Sequence, residues 1–375
     1  MTARRCWLVF AALLPLFSSH ALADVYFGAI PDLPGGSHPS ISGLSSDGTA
    51  AAGSSWKYDH REATRWTAEG GTEGLGVLSW DNPLSIAFGI SGDGQTVVGY
   101  ANSAHPYEAF RWTPATGMVG LGVLPGGNIS GAWDASGDGA VIVGFGDTPT
   151  STMQAFRWTA TDGMVALPGL PGSTGTSNAA SISIDGKMIV GYAVHTTTSE
   201  ACRWSDGGIA GLGVLPGGTG SSYASAVSAD GAVIVGASAS AATAPDDYEM
   251  FRWTAESGMV GLGDLPGGKY YSEALDVSAD GAVIVGMSES GRDLEACIWD
   301  AEHGLRSMYD VLTIECGLNL NGWTLSTAGG VSADGLTVVG SGLDPTGEPT
   351  TWIARLPEPA TIWLIALGAL IRRRR

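Results

Sequence analysis

The segment from Tyr223 to Gly268, YASAVSADGAVIVGASASAATAPDDYEMFRWTAESGMVGLGDLPGG, alternates short apolar runs with glycine- and proline-rich breaks. Four of its runs predict strands. Small and apolar residues alternate before Asp230, and Ala232-Val233-Ile234-Val235 follows the Asp-Gly pair, which predicts a two-residue hairpin with positive φ at its centre. Glu249-Met250-Phe251-Arg252-Trp253 alternates as a third strand. After a turn at Glu256-Ser257-Gly258, Met259 to Gly263 gives a fourth, and Pro266-Gly267-Gly268 ends it because proline cannot extend a ladder. No amphipathic helix pattern separates these runs, which excludes a helical solenoid.

This unit repeats. Ser-x-Asp-Gly, with another glycine five residues on, occurs seven times, and its aspartates are Asp47, Asp93, Asp138, Asp185, Asp230, Asp280 and Asp334. The gaps of 46, 45, 47, 45, 50 and 54 residues fit four-stranded propeller blades. The fold class is therefore all-β, a β-propeller of seven four-stranded blades. A tryptophan recurs on each third strand, at Trp66, Trp112, Trp158, Trp204, Trp253, Trp299 and Trp352, preceded by arginine in the first five, and predicts a repeated anchor between blades. Residues before each aspartate are small, as in Ala179-Ala180-Ser181, which suits the crowded centre of a ring and makes that strand the innermost.

Ring closure is legible from a missing piece. The last unit ends at Thr351 to Leu356 without a fourth strand, while Tyr26 to Gly36 supplies one, with Leu33-Pro34-Gly35-Gly36 matching Leu265-Pro266-Gly267-Gly268. The N-terminal strand should complete the last blade and remove two sheet edges. The irregular stretch from Glu302 to Thr327, with a short helix around Arg306 to Leu312, reads as a loop capping one face of the ring, with a binding role as the alternative.

The two ends read differently from the repeats. Residues 1–23 carry Arg4 and Arg5, an apolar run from Trp7 to Phe17 interrupted by Pro15, and Ala21-Leu22-Ala23, the pattern of a secretory signal cleaved after Ala23. The mature propeller then spans 24–356. Residues 357–375 hold Pro357-Glu358-Pro359, twelve almost wholly apolar residues from Ala360 to Ile371, and Arg372, Arg373, Arg374 and Arg375. As a helix those twelve rise about 18 Å, short of a hydrocarbon core of about 30 Å, so flanking residues must snorkel or the bilayer must thin. Terminal arginines favour the cytoplasmic side and resist translocation.

Charge narrows the partners. Apart from Arg4, Arg5 and Arg372 to Arg375, 12 basic residues face 37 acidic ones, a balance of −25. Such a surface repels nucleic acid phosphates and anionic membranes, so nucleic acid is not an expected partner. After signal removal Cys202, Cys297 and Cys316 remain, an odd count that excludes a full disulfide framework. Cys202 and Cys297 occupy the place of Phe110, Phe156 and Phe251 and read as small buried hydrophobes, while the compartment permits a Cys297–Cys316 bridge.

The units resemble the HAF repeats of secreted bacterial proteins, with Glu108-Ala109-Phe110-Arg111-Trp112 and Gln154-Ala155-Phe156-Arg157-Trp158 matching the strand that names them. The likeness covers nearly all of Tyr26 to Leu356. Glu or Gln stands where the repeat has histidine, and Thr64, Cys202 and Cys297 stand for its phenylalanine, so no histidine-dependent role follows. The C-terminus resembles the PEP-CTERM sorting signal. That resemblance implies processing at Pro357-Glu358-Pro359 by a membrane-embedded exosortase, with signal peptidase acting earlier, transient membrane contact through the apolar helix, and no membrane helix in the mature protein.

Candidate chemistry is sparse. His38, His60, His105, His195 and His303 lie on predicted loops without metal spacing or a triad, although His60, His105 and His195 fall close enough before their tryptophans to share a rim. One aspartate per turn cannot supply the six to eight oxygens calcium takes, so the Ser-x-Asp-Gly aspartates read as turn residues whose serines bond local backbone. The Leu-Pro-Gly-Gly loops lack the Lys-Ser or Lys-Thr of a phosphate loop. No catalytic residue, cofactor or metal is assigned.

Three functions fit these readings. The favoured one is an exported, non-catalytic cell-surface or matrix protein whose propeller contacts extracellular polysaccharide or surface proteins, with Trp56, Tyr58, Tyr107, Tyr270 and Tyr271 as stacking candidates. A hydrolase or lyase acting on extracellular polysaccharide is the first alternative. An acidic self-assembly module of the matrix is the second.

Overall fold

The computed structural model describes residues 25–244 and 247–358. They form seven separate four-stranded antiparallel sheets, each running in sequence order from an inner to an outer strand except the last. The second blade is representative, with strands Ser85–Ile90, Val97–Ala101, Glu108–Thr113 and Gly117–Gly120. In the seventh, Thr324–Val331, Thr337–Leu343 and Pro349–Arg355 are followed outward by Tyr26–Ile30, which pairs Tyr26 with Arg355 and Ile30 with Thr351. The N-terminal strand therefore closes the ring, as the missing strand in the last repeat required. Among the described residues no helix is long and apolar enough to cross a membrane.

The Ser-x-Asp-Gly turns are longer than a two-residue hairpin. Leu44 pairs with Ala51, and the six intervening residues form a turn in which the Gly48 amide bonds Ser45 O and the Ser45 amide bonds Ala50 O. Gly48 has φ 71° while Asp47 is not left-handed, so the mirror-image turn expected from the Asp-Gly pair is not used. Side chains explain the choice. Ser45 Oγ donates to Asp47 Oδ1 at 2.7 Å and accepts the buried Ala50 amide at 2.9 Å, and Asp47 Oδ1 also accepts the Thr49 amide. All seven turns repeat this serine–aspartate pairing. The Ala232 amide and Ser228 hydroxyl hold the Asp230 carboxyl below its ordinary range, and Asp138 is held low in the same way by Ala140 and Ser136.

Seven apolar clusters fill the seven joints between blades, and each takes one of the repeated tryptophans. Trp112 packs with Ala50, Ala52 and Ala63 of the first blade, and Trp352 with Val285 and Ala296 of the sixth. Burial is unequal, since Trp112, Trp204 and Trp352 are buried while Trp66, Trp158, Trp253 and Trp299 are half-buried. The arginine before the tryptophan reaches the other way. Arg65 bonds Gly94 O in the next blade and lies over Trp112, and Arg203 lies over Trp253 with Cζ 4.9 Å from the ring centroid. Buried serines at the start of inner strands add hydrogen bonds across the joints: Ser130 Oγ accepts the Ala109 amide and donates to Gly122 O.

A glutamate two residues before the position held by Phe110 recurs in several blades, and its carboxylate ties down the loop that leads to the next blade. Glu62, Glu108, Glu200 and Glu249 accept the amides of Gly76, Gly122, Gly213 and Gly263. The Glu302 to Thr327 stretch departs from its reading as a capping loop. After Gly304–Ser307, a short α-turn at Met308–Asp310 runs into a π-turn at Val311–Glu315, and Met308, Val311, Leu312 and Leu320 are buried between the sixth and seventh blades. It is an apolar wedge in the joint, which explains the longest repeat gap.

Candidate functional site

Every inner strand carries a β-bulge at the same repeat position, at Ser42, Phe88, Trp133, Ala180, Ser225, Leu275 and Gly329, and the first and seventh strands have a second irregularity nearer their starts. A bulge re-aims its residue and sharpens the local twist. Together with their neighbours, these seven residues line a central cavity of about 690 Å³, a volume suited to a small organic ligand.

One end of the cavity is gathered by the turns. Backbone hydrogen bonds join neighbouring turns at six of the seven steps: the Ser46 amide bonds Gly92 O, the Asp93 amide bonds Gly137 O, Gly137 bonds Ile184 O, Ala229 bonds Ala279 O, Ala279 bonds Ala333 O, and Ala333 returns to Ser46 O. Apart from Ile184 these residues are small, so the inner strands approach closely here. Gly89 shows how closely, because a Cβ there would lie 2.4 Å from Trp133 O.

Strand register puts the large side chains toward the opposite end. One arc runs through the second and third blades, from Tyr107 to Tyr100, Phe88, Trp133 and Phe145, with successive ring centroids 5.0, 5.4, 4.4 and 5.6 Å apart. A second runs through Tyr192, Tyr223 and Tyr248 at 5.0 and 5.6 Å. Phe88, Trp133, Tyr192, Tyr223 and Tyr248 line the cavity itself. Trp133 Nε1 is shielded and has no hydrogen-bond partner among the described residues.

Three carboxyls and no lysine, arginine or histidine complete the cavity wall: Asp134, Glu273 and Asp276. Asp134 Oδ2 accepts Ser181 Oγ at 2.8 Å and the Ile182 amide at 3.0 Å, tying the third blade to the fourth. Asp276 Oδ2 accepts the Val331 amide at 2.8 Å across the joint between the sixth and seventh. Both keep some contact with channel solvent, yet their depth in the ring pushes Asp134 up to about 6 and Asp276 to about 7 against the pull of these donors, and the Asp134 charge raises Asp276 further. Glu273 Oε1 accepts from Tyr271 Oη at 2.6 Å, and burial, then this carboxylate, push the Tyr271 phenol up.

The residues singled out from sequence lie elsewhere. The turn aspartates point into their own turns, and the tryptophans sit in the joints. Ala23, Pro359 and Arg372 to Arg375 lie outside the described residues, while Pro357 and Glu358 follow the last strand in no regular element. Cys202, Cys297 and Cys316 are free, so the Cys297–Cys316 bridge is absent, and the first two are fully buried. His60 is not an exposed loop residue: it opens the third strand of the first blade, buried, with its ring 6.0 Å from that of Trp80. His195 pairs with Glu200 of its own strand hairpin at 3.1 Å, so the rim histidines do not converge. Among the described residues no group of three or more His, Cys, Asp or Glu converges to hold a metal ion. Of the stacking candidates, Trp56, Tyr58 and Tyr107 are exposed, and Tyr270 and Tyr271 are half-buried.

No family model matches the chain, and no curated protein matches it. Solved structures are similar in fold. An oligogalacturonate lyase in complex with manganese superposes with a TM-score of 0.54 at 12% identity, over 90% of this chain and 98% of that one. The β-propeller domain of the trilobed protease of Pyrococcus furiosus does so at 0.53 and 11% identity, over 84% and 95%. A prolyl endopeptidase gives 0.54 at 13% identity, over 84% of this chain but only 50% of the endopeptidase. At these identities the likeness is one of fold.

Proposed function

We propose that the protein is an exported, non-catalytic cell-surface or matrix component whose propeller binds saccharide in its central channel. The observation that carries this reading is the pair of aromatic arcs converging on an enclosed cavity beside hydrogen-bonding carboxyls. Sugar rings present apolar C–H faces to aromatic rings and hydroxyls to carboxylates, and this wall offers both. The signal at 1–23 supports export, and the segment at 357–375 supports exosortase-type sorting to the surface. The oligogalacturonate lyase is named for a saccharide it acts on, which lends the ring precedent as a saccharide scaffold.

A hydrolase or lyase is the second reading, favoured by one observation: Asp134 and Asp276 are carboxyls raised toward neutrality that sense each other electrostatically, the pattern of an acid–base pair. Against it, both already accept backbone amides from the neighbouring inner strand, which fixes them as parts of the ring. The test is a glycan array on the mature protein, followed by product analysis of every bound glycan. Binding with intact glycan supports the scaffold; released product transfers the assignment to the enzyme; concentration-dependent oligomers with neither would point to a self-assembly module.

A further inference from the structure

We infer that the channel selects saccharides bearing free amines, an amino-sugar chain rather than a uronate. This rests on the saccharide reading above and sharpens it. Three features carry it.

The first is the composition of the wall. Asp134, Glu273 and Asp276 line one cavity, and every charged residue lining it is acidic. Above about pH 7, where Asp134 and Asp276 have lost their protons, a uronate placed there meets like charges with no cation in the wall to offset them, while an ammonium meets opposite charge.

The second is the placing of the rings. Tyr223 and Phe88 belong to the channel wall and face the same space as the carboxyls, so an ammonium is attracted by ring faces and by carboxylates at once. Lys269 pairs with Asp247 and lies 5.9 Å from the Tyr271 ring centroid, and Arg61, whose charge is felt at Tyr100, bonds Ser40 Oγ. Neither lines the wall.

The third is the mixed chemistry of the wall, where the Trp133, Tyr192 and Tyr248 rings lie beside carboxyls that accept hydrogen bonds. A simple organic cation uses only charge and ring faces. An amino sugar also brings hydroxyls that donate to the carboxyls, so the site suits a ligand with both a positive charge and hydroxyl groups.

Calorimetric titration of the mature protein with the tetramer of β-1,4-linked glucosamine, its N-acetylated counterpart and tetragalacturonate tests this. The glucosamine tetramer should bind at least tenfold more tightly than the acetylated one, and tetragalacturonate not measurably. Glu273→Gln should lower affinity for the glucosamine tetramer more than for the acetylated one, so that the preference for the amine shrinks severalfold. Ser225→Lys, which places a cation in the wall, should abolish amine binding with the melting temperature retained. Equal affinity for the amine and acetylated tetramers, or tighter binding of tetragalacturonate, overturns the charge selectivity and leaves the saccharide reading standing. Failure of all three to bind overturns both.

Discussion

Asp276 Oδ2 accepts the amide of Val331 at 2.8 Å, so one channel carboxyl also fastens the sixth blade to the seventh. Its pKa is raised to about 7 by burial, and that of its counterpart Asp134 to about 6. Between about pH 4 and these values the folded protein holds protons that the unfolded chain has released, so stability is highest at the acid end and falls as pH rises. Below about pH 4 the low-held turn carboxyls of Asp138, Asp185, Asp230 and Asp280 act oppositely, and their stabilisation is lost as pH falls. The denaturation midpoint should therefore peak near pH 4 to 5 and decline toward pH 8, by an amount on the order of a few kcal/mol. Asp276→Asn should flatten that decline. A variant profile parallel to the wild type would contradict the assignment.

The Ser-x-Asp-Gly turn is a structural device, and its serine is the critical member. Ser228 is 1% exposed and its Oγ accepts the buried Val233 amide at 2.9 Å. Ser228→Ala leaves that amide unpaired and should cost about 1–3 kcal/mol in urea unfolding. Saccharide binding should be unaffected.

The repeated tryptophans should not be equivalent. Trp352 is fully buried in the joint that the wedge also fills, and Trp352→Ala should destabilise by roughly 3–5 kcal/mol. Trp158 is half-buried at its joint and should cost clearly less. Equal losses measured by chemical denaturation would mean that burial in the joint does not set the energy.

Removing Tyr26–Ile30 would strip the outer strand from the seventh blade and expose the Pro349–Arg355 edge. The truncated protein should associate with increasing concentration in size-exclusion chromatography, while the full ring should not. A monomeric, equally stable truncation would show that closure does not depend on this strand.

Fold was largely legible in the chain because the signals were local and repeated. Asp-Gly turns, alternating runs and a period near 46 residues set blade number and strand order, and the missing strand after Arg355 placed Tyr26–Ile30. The turn type was misjudged, since Asp47 uses its side chain to bond Ser45 and Thr49 and leaves only Gly48 left-handed. The channel was not legible at all. Phe88 and Trp133 stand at the same repeat position, five residues before Asp93 and Asp138, but Ser42, Ala180, Ser225, Leu275 and Gly329 fill it in the other blades, so no residue type marks the position that the bulge turns inward. Asp134 and Asp276 resembled ordinary strand polar residues until the ring brought them to one wall. Only the repeated excess of aspartate at the same inner-strand position in two blades hinted at it.

The most direct test of the central claim is calorimetric titration of an array-selected oligosaccharide into the wild type, Trp133→Ala in the channel, and Trp80→Ala on the exposed rim, where Trp80 is 73% exposed. The channel account predicts that Trp133→Ala weakens binding at least tenfold, about 1.4 kcal/mol, with its fold intact, and that Trp80→Ala changes nothing. Retained affinity in Trp133→Ala with loss in Trp80→Ala would move the binding surface to the outer rim and contradict it.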